Sequence, residues 1–292
     1  MRQRPLVVAH RGSSYARAEH TLGAYLRALD EGADGLECDV RLTRDGHLVC
    51  VHDRTVDRTS SGHGVVSDFD LDDLSMLDFG SGHDGPGGDG RGGDGRGGDG
   101  RGFDGPGGDG PDGDGRGGDG SGGDGYIEER DSTEAPVLTL ERLLEVVAGT
   151  EVRLLIETKH PTRYAGLVEQ QLIRLLADHD MIGAISPVTV MSFSPMALRR
   201  IRLLAPVLPT VQLYRHLPAR RRDGSLPAAA DVAGPSVEVL RAYPGYVRRV
   251  HRGGGRVYVW TVDEPEDIDL VLGLGVDAVI TNRPGDVLAR LR

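Results

Sequence analysis

The chain is poor in cysteine, in aromatic residues and in long apolar runs, and each shortage removes a class of protein. Two of its 292 residues are cysteine, Cys38 and Cys50. That is too few for a disulfide framework, so buried thiols in a reducing compartment are expected. No stretch approaches the roughly 18 apolar residues of a membrane span. The start, Met1-Arg2-Gln3-Arg4-Pro5, leads into a five-residue apolar run before His10, which does not read as a signal peptide. A cytoplasmic location is the resulting expectation. No glycine-rich nucleotide turn follows that first run, because His10-Arg11-Gly12 cannot cradle a phosphate as such turns do.

Glycine and aspartate, by contrast, are abundant in one place. The net charge is -11, but residues 81–125 hold ten Asp and four Arg, a net of -6, and 24 of the 44 Gly. The other 247 residues carry only -5. They are mildly acidic, which argues against binding a nucleic-acid backbone. The tract repeats close to Gly-Gly-Asp-Gly-Arg with period five and has almost no apolar content, so nothing offsets the entropy of ordering it. A calcium β-roll would need period nine and a large apolar residue in each unit. Disorder in an expanded surface loop is expected.

Gly35 to Asp53 is the most informative stretch. Glu37 and Asp39 are two apart, so on a strand both carboxylates share a face. Asp45-Gly46 reads as a two-residue hairpin turn, which would set Arg44 opposite His47, Cys50 opposite Arg41 and Asp39 opposite His52. The same count leaves Cys38 on the other face. Carboxylate oxygens suit a hard divalent cation, and a neighbouring imidazole can move a proton.

Further along, the pattern alternates strands with helices. Apolar runs mark strands at Leu6–Ala9, Gly35–Asp39, Arg153–Ile156, Val188–Phe193, Val207–Leu213, Ser236–Leu240, Arg256–Val262 and Ala278–Ile280. Helices are expected at 19–30 with Thr21 as cap, 71–77, 136–147, 166–176, from Pro195, and at 264–272. The few residues from Val40 to Leu48 cannot make a parallel crossover, so that hairpin must project beyond the second strand. Eight strands with helical links fit a (β/α)8 TIM barrel, one domain over 1–292 with a small hairpin and loop insertion after strand two, interrupted by the tract 81–125. The polar strand ends then gather on one rim: His10-Arg11, Glu37 and Asp39, Glu157 and Lys159, Ser192, Trp260-Thr261 and Thr281-Asn282.

These residues resemble the glycerophosphodiester phosphodiesterase family. The likeness runs through His-Arg-Gly at 10–12, Glu-x-Asp-Val at 37–40, Leu-Thr-x-Asp-Gly at 42–46 and His-Asp at 52–53. It continues with Arg-Thr at 58–59, Leu-Asp-x-Gly at 77–80, Leu-Thr-Leu-Glu at 138–141, Ile-Glu-x-Lys at 156–159 and Ser-Phe at 192–193. Trp-Thr-Val at 260–262 and Thr-Asn-x-Pro at 281–284 complete it. The resemblance implies His10 and His52 as an acid-base pair and Glu37, Asp39 and Glu157 as ligands of one divalent cation, Mg2+ or Ca2+. It implies Arg11 and Lys159 as phosphate contacts, to which the strand ends add Ser192 and Trp260 as pocket lining. His20, Asp53 and Asn282 are expected to orient such groups. The implied reaction cleaves a small glycerophosphodiester to glycerol 3-phosphate and an alcohol, with no protein partner implied. A lysophospholipase D-like activity or a non-catalytic binding barrel are the competing readings. The first would need an apolar groove for an acyl chain, and the second would be expected to lack one of the histidines or carboxylates.

Overall fold

The computed structural model describes residues 4–81, 135–163, 166–183 and 186–292. Apart from Ser81, the glycine-aspartate tract lies outside the described residues. Eight strands run parallel in the order β1 (Leu6–His10), β2 (Gly35–Leu42), β4 (Arg153–Thr158), β5 (Val188–Ser192), β6 (Thr210–Tyr214), β7 (Val232–Pro235), β8 (Arg256–Val259) and β9 (Ala278–Thr281). Pairing of β1 with both β2 and β9 closes them into a barrel. A short β3 (Leu48–Cys50) pairs antiparallel with the outer end of β2 and stands outside the closed ring. The (β/α)8 barrel with a projecting hairpin is therefore the fold.

Helices cover the barrel: α1 (Leu22–Asp30), α2 (Leu71–Ser75), α3 (Leu140–Ala148), α4 (Leu167–Asp178), α5 (Pro195–Leu204), α6 (Val237–Ala242), α7 (Tyr246–Arg252), α8 (Pro265–Leu274) and α9 (Pro284–Arg290). Local chemistry starts several of them. Thr21, Thr139 and Ser194 each accept a hydrogen bond from a backbone N–H in the first turn that follows, satisfying a donor that the helix leaves open. The helix expected from residue 136 begins at Leu140 for this reason, because Thr139 is extended and caps it.

Alternation along each strand sorts the core into layers. One set of side chains, including Val8, Leu155, Met191, Leu213, Tyr258 and Ile280, fills the lumen. The other set, including Leu36, Cys38, Val40 and Ile156, packs outward on Tyr25 of α1 and Leu143 and Leu144 of α3. Burying each such large side chain stabilises the fold by about 1.5–3 kcal/mol. Higher on the same lumen-facing rows, polar residues replace apolar ones. The loop and α2 after β3 have a smaller core of their own, with Val51, Val56, Val66, Leu74 and Phe79 beside Val137. Among the described residues no helix is long and apolar enough to cross a membrane.

Two expectations need correction. The hairpin pairs Val40 with Cys50, Arg41 with Val49 and Leu42 with Leu48, one residue out of the anticipated register. Thr43 bonds to His47 through the backbone and Gly46 adopts φ +95°, so the loop has three residues, Arg44 to Gly46. Asp39 consequently meets Val51, not His52, and Cys38 and Cys50 belong to one buried outward-facing cluster as free thiols. The second correction concerns the segment Ser236–Leu240. Its strand-like Val-x-Val alternation is helical in α6, and the barrel strand is Val232–Pro235. Ala-Gly-Pro has little strand propensity of its own. Ladders to β6 and β8 on both sides impose the extended form.

Candidate active site

β2 delivers Glu37 and Asp39 to the lumen two residues apart, and β4, its neighbour, places Glu157 directly beside Asp39 in the ladder. One oxygen from each of the three lies within 4.8 Å of the others, and all three residues are buried. Positive groups surround them. The Lys159 ammonium is 2.9 Å from Glu157 Oε1 and 3.1 Å from Asp39 Oδ1, and Arg11 Nε is 3.1 Å from Asp39 Oδ2. The backbone of Arg11, turned to φ +59°, donates its N–H to Glu37 Oε2 at 3.0 Å.

The three carboxyls feel opposite forces. Burial resists ionisation of Asp39, but Lys159 and Arg11 outweigh it and hold this carboxyl well below the usual range. Burial, reinforced by the Asp39 charge, pushes Glu37 well above it. Burial likewise lifts Glu157 to about 7, against the pull of Lys159. Burial opposes the Lys159 charge too, yet Asp39 and Glu157 raise its pKa.

Two imidazoles face this cluster. His10, at the end of β1, has Nε2 4.0 Å from Glu37 Oε2 and Nδ1 2.7 Å from Asn282 Oδ1. The amide of Asn282 is oriented by Asp263, to whose Oδ2 it donates at 2.6 Å. The Asn282 oxygen can only accept, so His10 carries a proton on Nδ1 and leaves Nε2 toward the cavity. Burial, helped by the Arg11 charge, lowers the His10 pKa to about 3. His52 follows β3, with Nδ1 2.7 Å from Asp53 Oδ1. Burial lowers its pKa as well, with Asp53 opposing. Asp53 is in turn held by Arg58 Nε at 2.6 Å, Arg58 by Glu19, and Glu19 by Arg11 at 3.0 Å. This chain ties the loop after β3 to the end of β1.

A cavity of about 380 Å³ opens over the cluster and is lined by His10, His52, Glu157, Met191, Phe193 and Trp260 among others. Trp260 donates its indole N–H to Gly234 O at 2.8 Å, and Phe193 stands edge-on to it at 5.3 Å between ring centres.

The anticipated residues thus meet at one rim, except Ser192. Met191 and Phe193 face the lumen, so alternation turns Ser192 away from it. Its hydroxyl, fully buried, donates to Thr158 O and accepts from Ser194 N–H. His20 bridges Asp39 Oδ2 at 3.0 Å and the Tyr25 hydroxyl at 2.8 Å, an orienting place like those of Asp53 and Asn282. Sequence reasoning missed the Glu19–Arg58 link and the cavity positions of Phe193 and His216. For Phe193 the signal was its alternation with Met191. For His216, beyond the end of β6, no local signal exists.

The residues present suit a cation. Donors up to 4.8 Å apart can share an ion at the metal–oxygen distances of hard divalent cations, about 2.0–2.6 Å. Asp39 Oδ1 is buried without a hydrogen bond, since the nearby Lys159 ammonium is not aligned to donate to it.

Residues 10–286 match the family described as the glycerophosphoryl diester phosphodiesterase family. The chain is 42% identical to the probable glycerophosphodiester phosphodiesterase 1 of Mycobacterium tuberculosis, over 98% of this chain and 92% of that one. It is 31% identical to a Bacillus subtilis glycerophosphodiester phosphodiesterase, over 96% and 84% of the two chains. Among solved structures, an Oleispira antarctica phosphodiesterase in complex with the product sn-glycerol-3-phosphate superposes with a TM-score of 0.74 at 20% identity, covering 99% of this chain and 97% of that one. With the match spanning the barrel from His10 into its last helix, the chain is an enzyme of the glycerophosphoryl diester phosphodiesterase family.

Proposed function

We propose that the chain hydrolyses glycerophosphodiesters to glycerol 3-phosphate and an alcohol, using Glu37, Asp39 and Glu157 to hold one divalent cation, Mg2+ or Ca2+, and His10 and His52 to move protons. The convergence of three buried carboxylates with two imidazoles at the barrel mouth supports this most directly. A phosphodiester is anionic and three carboxylates alone would repel it. When bound, the cation reverses that local sign and polarises the phosphoryl oxygens.

The chain's own groups do the rest. Arg11 and Lys159 bring positive charge to the phosphoryl group as its negative charge grows. Either a water oxygen bonds to phosphorus while the ester bond to the alcohol breaks, giving glycerol 3-phosphate directly, or the substrate's own 2-hydroxyl does so, the alcohol leaving a cyclic phosphate that water then opens to glycerol 3-phosphate. One imidazole takes the nucleophile's proton and the other returns a proton to the leaving oxygen. Both have Nδ1 occupied, by Asn282 and Asp53, so Nε2 is the working atom in each. Phe193 and Trp260 offer an apolar wall to the glycerol carbons.

One domain over 1–292 would carry this activity, and its two free thiols suit a reducing cytoplasm. The test is release of glycerol 3-phosphate from glycerophosphocholine and glycerophosphoethanolamine, with and without chelator. Loss in chelator and recovery with added Mg2+ or Ca2+ is the expected result. Full turnover in chelator would remove the cation from the mechanism.

A further inference from the structure

We infer that a second, basic cavity beside the catalytic one is a subsite for an anionic head group of the diester. The inference rests on the reading of the catalytic cavity given above. This second cavity has a volume of about 470 Å³, and Arg41, Arg54, Lys159 and Arg163 contribute to its wall, with Asp68. Lys159 lines both cavities, so they adjoin. Arg41 continues the row Glu37, Asp39, Arg41 along β2 and is the next lumen-side residue past the carboxylates.

Charge in this wall is only partly neutralised. Lys159 is paired with Asp39 and Glu157, and Arg163 with Asp68 at 2.5 Å. Arg41 spends Nε and Nη2 on the carbonyl oxygen of His52, at 3.0 and 2.8 Å. Among the described residues neither Arg41 nor exposed Arg54 is in an ion pair with a carboxylate, although Asp39, Asp53 and Glu157 act on Arg41 from a distance. Two guanidinium charges therefore border a cavity next to the scissile site. Guanidinium forks favour carboxylate and phosphate oxygens, and they repel a quaternary ammonium. The occupant that fits is a head group carrying a further phosphate or carboxylate, with the scissile phosphate held at the Lys159 wall.

A matched pair of substrates tests this on the full chain. Bis(glycerophospho)glycerol carries a second phosphodiester that glycerophosphoglycerol lacks. The wild type should show kcat/KM about three- to tenfold higher for the doubly charged compound, an advantage that shrinks in high salt. Arg54→Glu should abolish that advantage while leaving glycerophosphoglycerol turnover within about twofold, and Arg54→Lys should retain most of it. Equal kcat/KM for the pair in the wild type, or equal losses for both in Arg54→Glu, overturns the inference. If neither compound is turned over, the catalytic reading fails. Calorimetric binding of the same pair to His52→Ala then decides the subsite alone, with a similar ratio of Kd supporting it and equal Kd values refuting it. Inorganic phosphate is the control for a different occupant. If Arg54→Glu relieves phosphate inhibition without changing the substrate ratio, the cavity takes free phosphate and the head-group assignment is wrong.

Discussion

His10 and His52 differ in what holds them. His10 leans on a neutral amide that Asp263 orients, whereas His52 leans on the anionic Asp53. Replacing either by alanine should lower kcat by about 10²–10⁴-fold while leaving the melting temperature nearly unchanged, because neither ring fills the apolar core. A variant that keeps wild-type kcat would show that its imidazole moves no essential proton. Asp53→Asn tests the support and not the ring. It keeps a hydrogen-bond acceptor but removes the charge that favours imidazolium, so kcat should fall about 10–100-fold with KM little changed and the acid limb of the pH profile displaced. Unchanged pH behaviour would reduce Asp53 to packing.

In the proposed function, protons and a cation compete for the same oxygens. Glu157 is raised to about 7 and Glu37 well above its ordinary value, in each case first by burial. A cation can bind these groups only after their protons leave, so affinity must rise with pH, steeply across neutrality, and binding must release protons. Calorimetry in two buffers of different ionisation enthalpy at pH 6 and pH 8 measures both quantities. A Kd independent of pH would mean that Glu37 and Glu157 hold no protons for the cation to displace.

At the scale of elements, Gly12 shows why a small residue follows His10-Arg11. Its φ is +83°, and a Cβ there would lie 2.6 Å from the backbone carbon of Ala24 in α1. Neither the left-handed backbone nor the contact with main chain can relax cheaply. Gly12→Ala should therefore destabilise the fold by about 2–4 kcal/mol, seen as a melting temperature lower by roughly 5–10 °C. A shift under 2 °C would mean that α1 moves away from the strand end without difficulty. The hairpin illustrates the limit of local reading. Alternation identified both of its strands, but register depended on whether Gly46 entered a two- or three-residue loop. A one-residue slip exchanges the faces of every partner on the returning strand. The cap of α1 and the first residue of α5 were legible because Thr21 and Pro195 carry their own signals. β7 was not, because Ala-Gly-Pro is extended only by its neighbours.

For the whole molecule, the two described flanks of the glycine-aspartate segment meet. Phe79 donates its N–H to Ala135 O at 2.7 Å, and Ala135 donates to Asp78 Oδ1 at 2.8 Å. These hydrogen bonds close the region after β3 on itself whatever length of chain connects the two sides. Replacing 82–134 with a short Gly-Ser linker should leave the melting temperature within a few degrees and preserve glycerol 3-phosphate release, since loop-closure entropy varies only slowly with length. A large loss of stability would show that the segment packs against the described core.

The sequence by itself determined the alternation of strands and helices, the placing of acidic and basic residues at strand ends, and hence a barrel whose polar strand ends share one rim. Those features are local, set by side-chain period and by chain lengths too short for other connections. Only the tertiary structure decided that Glu157 stands beside Asp39, that Ser192 faces away, and that Glu19 and Arg58 link the two histidine-bearing ends. It alone set Arg41 against a second cavity. Barrel closure and strand stagger bring together residues more than a hundred positions apart, and no period along the chain encodes that stagger.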